Sequence, residues 1–331
     1  MILLWPNIIL ILTSIFALIY VNKIPKSIIV YDKPDNFRKI HSIPTPLIGG
    51  LILYINISLN LIFFYNEFNF GLGLIILLLL LYSFFFSIGF IDDKFSISPG
   101  RKTFAVLLIL FLIIPLHENM IVNDLTFKDL ELIIPLHQAS IFFTIFSIYF
   151  FFNLINFSDG ANGITITLCI YWLIIFSIFG SINLFFIYYL ILILVVILIF
   201  NLNNKIFLGN SGSSLLSIVF ASLFIVNYNI DKSIKCDEIL LLMFVPAIDS
   251  LRVTIERIVK GNSPFKPDMR HLHHLLLKNF NKNTVFIPYT VLSSAPFLFS
   301  IFFNTIIILI LSLFFYFIIF YILNRKFIKK I

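Results

Sequence analysis

The sequence predicts an all-α integral membrane protein that crosses the bilayer many times. Hydrophobic residues make up 60% of the 331 residues and charged residues only 12%. A soluble core cannot bury such a surplus of apolar side chains, so this composition excludes a soluble globular protein. The apolar residues also occur in long uncharged runs between short polar segments, which is typical of a polytopic membrane protein.

The uncharged runs predict the individual helices. A helix needs roughly 20 apolar residues to cross a hydrocarbon core of about 30 Å, and about eleven runs approach this length. They cover residues 2–21, 47–65, 71–90, 103–116, 139–156, 163–180, 184–201, 212–227, 237–254, 285–303 and 305–323. The run 103–116 is short and the run 237–254 contains Pro246, so we expect these two helices to be tilted, kinked or partly interfacial.

Residues 1–331 are expected to form one transmembrane domain, because no internal repeat or soluble segment interrupts the series of helices. The first run lacks a basic leader and continues to Val21, which favours a retained helix over a cleaved signal peptide. Cys169 and Cys236 lie far apart and predict neither a disulfide framework nor a metal cluster. The segment 117–138 alternates enough to predict a short β-hairpin.

Basic residues predict the orientation, since Lys and Arg accumulate in cytoplasmic loops. The C-terminal segment NRKFIKKI is expected to be cytoplasmic, and an odd number of crossings then places the N-terminus outside. On this topology only Lys128, Lys232 and Lys235 of the 23 basic residues lie outside. Topology and anionic lipid therefore explain the net charge of +7 without nucleic acid as a partner.

Five polar segments meet on the predicted cytoplasmic side. They are RKIHSIPTPLIGG (38–50), FIDDKFSISPGRK (90–102), NLINFSDGANGI (153–164), IFLGNSGSS (206–214) and SPFKPDMRHLHHLL (263–276). The predicted outer loops offer only scattered acids and asparagines. One cytoplasm-facing active site built from five segments is the simplest interpretation.

Three acids in these segments predict a metal site. Asp92 and Asp93 end one predicted helix and Asp159 ends another, so the three carboxylates can converge at the membrane surface. Carboxylate oxygens suit Mg²⁺, with Mn²⁺ as an alternative, and Mg²⁺ usually completes its coordination with water and substrate phosphates. The acids therefore indicate a phosphorylated ligand, although an acidic pair by itself is more often a solvated helix end.

Two other motifs are suited to anions. FLGNSGSS runs directly into an apolar helix, as at an anion-binding helix start but also as at an ordinary capped helix. The tract HLHH places His271, His273 and His274 in one helical turn beside Arg270, where they can donate hydrogen bonds to a diphosphate. A zinc site is the alternative, but no cysteine or typical zinc-ligand spacing accompanies these histidines.

Together with PAIDSLRV (246–253), these segments resemble the polyprenyl-phosphate N-acetylhexosamine-1-phosphate transferase family, of glycosyltransferase 4 type, over nearly the whole chain. PAIDSLRV and the histidine tract point to its WecA-like branch. The resemblance implies that a polyprenyl phosphate, undecaprenyl phosphate in bacteria, attacks the sugar-bearing phosphorus of a UDP-N-acetylhexosamine. The products would be polyprenyl-diphosphate-sugar and UMP. It also implies a multi-pass protein of the bacterial inner membrane that initiates cell-envelope glycan synthesis; the oligomeric state, a homodimer included, stays open.

The resemblance also implies roles for individual residues. Asp92, Asp93 and Asp159 are expected to be catalytic and, with Asn210, to bind Mg²⁺. The expected substrate-binding residues are Lys39, Lys102, Asn153, Asn156, Asn162, Phe207, Arg270, His271, His273 and His274. Phe207 would pack on the uracil. Lys39 and Lys102, with His41, would attract phosphates, although positive-inside anchoring also explains them.

Two positions depart from the family pattern, because many members have Asp where this chain has Asn162 and Asn210. The first position lies near the base or sugar and could reflect a different donor. The second would normally be a metal ligand, so weaker metal binding is expected, and a catalytically inactive homologue that binds lipid phosphate is an alternative. A transporter is a less favoured alternative, because its ionisable residues would lie near the bilayer midplane.

Overall fold

The computed structural model describes residues 4–23, 29–34, 43–63, 71–263 and 269–328. Its helices are α1 (Leu4–Ile19), α2 (Gly49–Phe63), α3 (Leu72–Phe95), α4 (Pro99–Ile113), α5 (Ser140–Ser158), α6 (Ile164–Phe179), α7 (Leu184–Leu202), α8 (Gly209–Asp231), α9 (Cys236–Leu242), α10 (Phe244–Val259), α11 (Leu272–Leu277), α12 (Phe286–Ser300) and α13 (Thr305–Ile328). Two antiparallel strand pairs complete it: β1 (Tyr31–Asp32) with β2 (Thr45–Pro46), and β3 (Asp124–Thr126) with β4 (Ile133–Pro135). The fold is all-α apart from these short strands, and the predicted hairpin in 117–138 is confirmed.

A helix lies over each predicted run, and two boundaries are informative. The run 237–254 is divided at Met243, three residues before Pro246, whose missing N–H and fixed ring disfavour a continuous helix. The structure thus shows a break between two helices where a tilted, kinked or partly interfacial helix was expected. The predicted start of the fourth helix at residue 103 was one turn late, because Pro99 occupies a first-turn position, where proline is favoured.

The membrane character is confirmed by helix length and composition. Among the described residues, six helical stretches are long and apolar enough to cross a bilayer: α3, α5, α7, α8, α13 and the stretch Pro99–Leu116, which is α4 with the turn that follows it. Shorter apolar helices lie in α1, α2, α6 and α12. The predicted number of about eleven crossings stays a prediction, because the shorter helices do not by themselves reach the length of a span.

Helix α8 is the centre of the fold, with 89% of its most apolar stretch buried. It packs against α2, α3 and α5. Small residues permit this close approach: a Cβ added at Gly50 would collide with Gly212, and one added at Gly89 would collide with the backbone of Asn210. The N-terminus of α8 is thereby held between α2 and α3, which brings FLGNSG beside the acidic pair at the end of α3.

The polar residues that join different helices lie at two opposite ends of the bundle. One end, the hairpin end, carries β3, β4, the start of α9 and the α12–α13 turn. There the Lys128 Nζ lies 3.2 Å from the Ser300 carbonyl oxygen, and the Lys232 Nζ lies 2.6 Å from Asp124. The opposite end, the cavity end, carries the C-terminal ends of α3, α5 and α7 with the N-terminal ends of α4, α6 and α8.

Candidate active site

A cavity of about 650 Å³ opens at the cavity end. Its volume lies in the range of small-molecule binding sites, about 300–1,000 Å³. The predicted site residues that line it are Asp92, Asp93, Lys102, Asn153, Asn156, Asp159, Asn162, Phe207, Asn210, His271, His273 and His274. Arg270 is not among the lining residues, and Lys39 and His41 lie outside the described residues. The structure thus brings residues of all five polar segments into one cavity, and the segment 38–50 contributes Leu47.

Asp92 forms an ion pair at the edge of this cavity. Its Oδ2 accepts a hydrogen bond from the Lys102 Nζ at 2.9 Å, and its Oδ1 accepts one from the Ile97 backbone N at 2.8 Å. The Lys102 ammonium also lies 5.3 Å from the centre of the Phe152 ring. Asp92 therefore orders the turn between α3 and α4 and holds one cation at the cavity wall.

Asp93 binds the N-terminus of α8. Its two carboxylate oxygens accept hydrogen bonds from the backbone N of Asn210 at 2.8 Å and of Ser211 at 3.0 Å. A carboxylate is stabilised there by the partial positive charge of the helix end. Gly209 has a φ of +70°, and an added Cβ would lie 2.7 Å from the Asp93 Oδ2, so glycine is needed beside this carboxylate. The anion-binding helix start indicated by FLGNSG therefore binds the chain's own Asp93.

Asp159 follows the last residue of α5 and lines the cavity. Burial raises the pKa of its carboxyl group to about 7, and the nearby negative charge of Asp93 acts in the same direction. Among the described residues, no basic side chain forms an ion pair with Asp159. A cation in the cavity would favour the ionised carboxylate.

Three of the asparagines that line the cavity lie on α5 and in the turn that follows it. The Asn153 Nδ2 donates to the Tyr149 carbonyl oxygen at 2.9 Å, and the Asn156 Nδ2 donates to the Phe152 carbonyl oxygen at 2.7 Å. Each amide thus turns its oxygen away from the helix backbone. The Asn156 oxygen accepts a hydrogen bond from the Ser213 Oγ at 3.1 Å, which links α5 to α8.

The third asparagine, Asn162, explains one departure from the family pattern. Its Nδ2 donates to the Asn201 carbonyl oxygen at 3.1 Å and to the Asn204 Oδ1 at 2.9 Å. An ionised Asp in this position would face two acceptors and could donate to neither. Asn162 is therefore matched to the turn that follows α7.

The histidine tract forms the start of α11, and its three side chains are buried. The His271 Nδ1 lies 2.9 Å from the Asp249 Oδ2. The His273 ring packs directly on Gly160, where a Cβ would collide with its Nε2, and this nitrogen has no hydrogen-bond partner in the described part of the chain. Burial, with the charges of His274 and His271, lowers the pKa of His273 well below its usual range, so the ring is neutral at pH 7.

Several lining residues were missed by the sequence analysis: Thr165, Asn201, Asn204, Arg257 and Lys282. Arg257 is buried, and its guanidinium lies 5.7 Å from the centre of the Phe157 ring. A helical pattern could have found it, because Arg257 lies eight residues after Asp249 and so shares its face of α10. Asn201 lies in the last turn of α7 and Asn204 just after this helix, in a polar stretch whose sequence carries no distinctive spacing.

The donor atoms in the cavity fit Mg²⁺ rather than zinc. In the part of the chain that the structure describes, no three His, Cys, Asp or Glu side chains are placed to hold a metal ion together. The cavity is lined instead by Asp159 and by the amide-bearing residues Asn153, Asn156 and Asn210. Mg²⁺ commonly uses one or two protein carboxylates and takes its other ligands from water and phosphate.

Comparison with known proteins agrees with this site. Residues 75–228 match the model of glycosyl transferase family 4. The undecaprenyl-phosphate alpha-N-acetylglucosaminyl 1-phosphate transferase of Escherichia coli strain K12 is 28% identical over 293 residues, which cover 84% of this chain and 77% of that protein. The enzyme of the same name from Haemophilus influenzae is 26% identical over 287 residues, covering 81% of this chain and 77% of that protein.

The matched segment contains most of the cavity, from the acidic pair on α3 to the start of α8. The histidine tract lies outside that segment. The resemblance predicted from the motifs is thereby confirmed: residues 75–228 match the model of glycosyl transferase family 4, and the chain is similar to undecaprenyl-phosphate alpha-N-acetylglucosaminyl 1-phosphate transferases.

Proposed function

We propose that this protein transfers N-acetylhexosamine 1-phosphate from a UDP-sugar to undecaprenyl phosphate or a related polyprenyl phosphate, and releases UMP. The observation that most supports this proposal is a cavity at one end of a bundle of apolar helices, lined by acids, amides and basic side chains. A soluble anionic donor and a membrane-anchored acceptor can meet only at such an end. The names of the similar proteins support the same lipid acceptor.

The donor would occupy the side of the cavity formed by α10, α11 and the turn after α7. Arg257 and His271 are buried on this side and suit the diphosphate, since charged donors bind phosphate oxygens strongly. The cluster of Asn162, Asn201 and Asn204 offers neutral amides to the uracil or the sugar, and Phe207 offers a ring to the base. UDP-N-acetylglucosamine is the first donor to test, given the names of the relatives.

The acceptor would approach from the side of α4. Phe104, Leu108 and Leu112 form an exposed apolar stripe along this helix, which suits a hydrocarbon chain in the bilayer. Lys102, two residues before that stripe begins, would attract the lipid phosphate. An oxygen of this phosphate forms a bond to the sugar-bearing phosphorus, and the bond from that phosphorus to the bridging oxygen breaks, so the bridging oxygen leaves with UMP.

Phosphoryl transfer depends on positioning and charge neutralisation more than on covalent help from the protein. Mg²⁺ held by Asp159 and the amide oxygens of Asn156 and Asn210 would supply neutralisation of the phosphates. Asp93 would keep the start of α8, and with it Asn210, in place through its two backbone hydrogen bonds. Asp92 would hold the Lys102 ammonium toward the cavity.

We also propose that the cavity faces the cytoplasm of a bacterial cell and that the β3–β4 hairpin lies outside. Single-cysteine variants in a background without Cys169 and Cys236 would test this orientation. A membrane-impermeant thiol reagent applied to intact cells should label Asn123→Cys and spare Ser263→Cys. The reverse pattern would overturn the orientation.

The activity itself is tested with purified protein, Mg²⁺, donor labelled in the sugar and undecaprenyl phosphate. We expect lipid-extractable label and UMP in equal amounts, and neither product when the lipid phosphate is omitted. The alternative is a protein that binds lipid phosphate without turnover, and Asn210 is the reason to consider it, since an amide lacks the charge of an acid. Such a protein would give neither product. Label that enters the lipid phase without UMP release would also contradict the proposal.

A further inference from the structure

The carboxylate of Asp249 is buried next to His271, one of the residues that line the cavity. Asp249 on α10 is 2% exposed and does not line the cavity itself. Its Oδ1 accepts hydrogen bonds from the Arg252 guanidinium at 2.8 Å and from the Tyr316 hydroxyl at 2.8 Å. Its Oδ2 lies 2.9 Å from the His271 Nδ1, and the Leu272 backbone N donates to both oxygens.

These contacts determine which nitrogen of His271 carries a proton. Asp249 receives donors on both oxygens and pairs with Arg252, so it is an ionised acceptor with no proton to give. The His271 Nδ1 must then be the protonated nitrogen, because only an N–H can donate to this carboxylate. The ring is further held between Phe157, with centroids 5.5 Å apart, and the parallel ring of His273, with centroids 5.6 Å apart.

The other ring nitrogen of His271, Nε2, is the one left for a ligand. His271 lines the cavity, and the hydrogen bond that its ring makes among the described residues is that of Nδ1 to Asp249. A ring whose Nδ1 is committed to Asp249 can reach a ligand only through Nε2. A carboxylate on the far side also favours a positive charge on the ring when an anion binds to Nε2.

We infer that Asp249 is a positioning residue: its carboxylate holds the His271 Nδ1–H and supports the positive charge on the ring, so that the Nε2–H can donate to the phosphates of the nucleotide-sugar donor. The inference rests on the proposed function for the identity of the ligand. On this inference α13 contributes to the site through Tyr316, which is a buried side chain on a helix that is otherwise mostly exposed. Arg252 completes the support: its Nε donates to the Tyr316 oxygen at 3.0 Å, and its guanidinium lies 4.0 Å from the Phe320 ring centre.

The substitution Asp249→Asn should reverse the histidine tautomer. Three donors meet at the Oδ1 position, so the amide oxygen of the variant is expected there, which places the NH₂ group opposite the His271 Nδ1. An NH₂ group can only donate, so Nδ1 must become the acceptor and the proton must move to Nε2. The shape of the side chain is kept, which makes this a test of hydrogen-bond polarity rather than of packing.

The first measurement is ¹⁵N NMR of protein labelled in its 6 histidines, with His271→Gln used to assign the His271 signals. The wild type should show a protonated Nδ1 at His271, and Asp249→Asn should show a protonated Nε2 with an unprotonated Nδ1. An unprotonated Nδ1 in the wild type would overturn the inference, even if the variant failed to fold. This readout needs no turnover, so it stands apart from a failure of the proposed function.

The second measurement is a double-mutant cycle on UMP release. Asp249→Asn alone should lower the rate by about 10- to 100-fold, the effect of removing the partner that orients a functional histidine. In the His271→Gln background the same substitution should change the rate less than about twofold, because Asp249 acts through His271. Tyr316→Phe, which removes one donor to Asp249 but leaves its bond to His271, should have a smaller effect. Full multiplicative losses in the double variant would show a purely structural role and contradict the inference.

Discussion

The two ends of the helix bundle both carry acidic residues, but their partners differ. At the hairpin end Asp124 pairs with Lys232 at 2.6 Å, and Glu238 pairs with Lys128 at 2.8 Å. At the cavity end Asp159 lines the cavity without an ion pair in the described part of the chain. At the hairpin end these ion pairs join segments of the chain to each other. At the cavity end the carboxyl group of Asp159 is left for a ligand.

The proton affinities of the two ends differ in the same way. Hydrogen bonding to the Thr305 backbone N lowers the pKa of Asp129 in the hairpin, because that bond stabilises the carboxylate. Burial raises the pKa of Asp159 in the cavity, because no donor or cation of comparable strength offsets the loss of water. An acid with a strongly shifted pKa and no ion-pair partner, lying in a cavity, is typical of a functional site.

The largest effect should come from removing the unpaired acid. Asp159→Asn should lower UMP release by about 10²- to 10³-fold, the cost of losing an electrostatic group at the reacting centre. Its size and shape are kept, so the yield and the elution profile in detergent should match the wild type. A variant with more than half of the wild-type rate would remove Asp159 from the active site.

The same substitution should change the pH dependence of stability without any ligand. The folded-state pKa of Asp159 is about 7 and the usual value for Asp is about 3.9, so the folded protein binds this proton more tightly than the unfolded protein. Its contribution to stability is therefore complete below about pH 4 and is lost as the pH rises to about 7. In EDTA, the difference in apparent Tm between wild type and Asp159→Asn should favour the variant increasingly from pH 5 to pH 8. A constant difference would contradict the raised pKa.

The next largest effect should come from Gly160→Ala. The added methyl group would collide with the His273 ring and shift the histidine tract, and a displacement of about 1 Å in an active site can cost up to about 100-fold in rate. Gly100→Ala is the matched control, because an added Cβ at Gly100 has no heavy atom within 4 Å. That control should keep the wild-type rate; equal losses in both variants would contradict the packing of His273 on Gly160.

A moderate effect is expected from introducing at position 210 the acid that the family resemblance implies. Asn210→Asp adds a negative charge beside the proposed metal, so it should lower the Mg²⁺ concentration for half-maximal rate. A gain of roughly 1.4 kcal/mol in metal binding would appear as about tenfold. A Mg²⁺ titration of both proteins at saturating donor measures this shift. An unchanged Mg²⁺ requirement with reduced turnover would indicate that Asn210 serves the substrate instead.

The smallest effect on catalysis should come from a substitution at the hairpin end. Asp237 accepts hydrogen bonds from the Thr305 Oγ1 at 2.5 Å and from the Lys128 backbone N at 3.1 Å. Asp237→Ala should therefore reduce stability by about 1.5–3 kcal/mol for each lost charged hydrogen bond, seen as a lower apparent Tm. Its UMP release at a temperature where it is folded should stay within about twofold of the wild type. A rate loss as large as that of Asp159→Asn would show that the two ends do not differ in function.

The helices could be predicted from the sequence because hydrophobic length is a local property, and the interruption near Pro246 follows from the backbone chemistry of proline. The motifs also predicted most of the cavity lining. The roles within it depend on tertiary contacts that no local pattern contains. The contact of Asp93 with the start of α8 joins residues 117 positions apart in the sequence. The contact of Asn162 with Asn204 joins residues 42 positions apart.

The most direct test of the central claim is the initial rate of UMP release from a UDP-N-acetylhexosamine by the wild type, Asp159→Asn and Asp237→Ala, measured side by side with and without undecaprenyl phosphate. We predict lipid-dependent release by the wild type, a comparable rate for Asp237→Ala and a loss of about 10²-fold or more for Asp159→Asn. Release that does not need the lipid, or equal rates for the wild type and Asp159→Asn, would contradict the assignment of the cavity as a polyprenyl-phosphate transferase site.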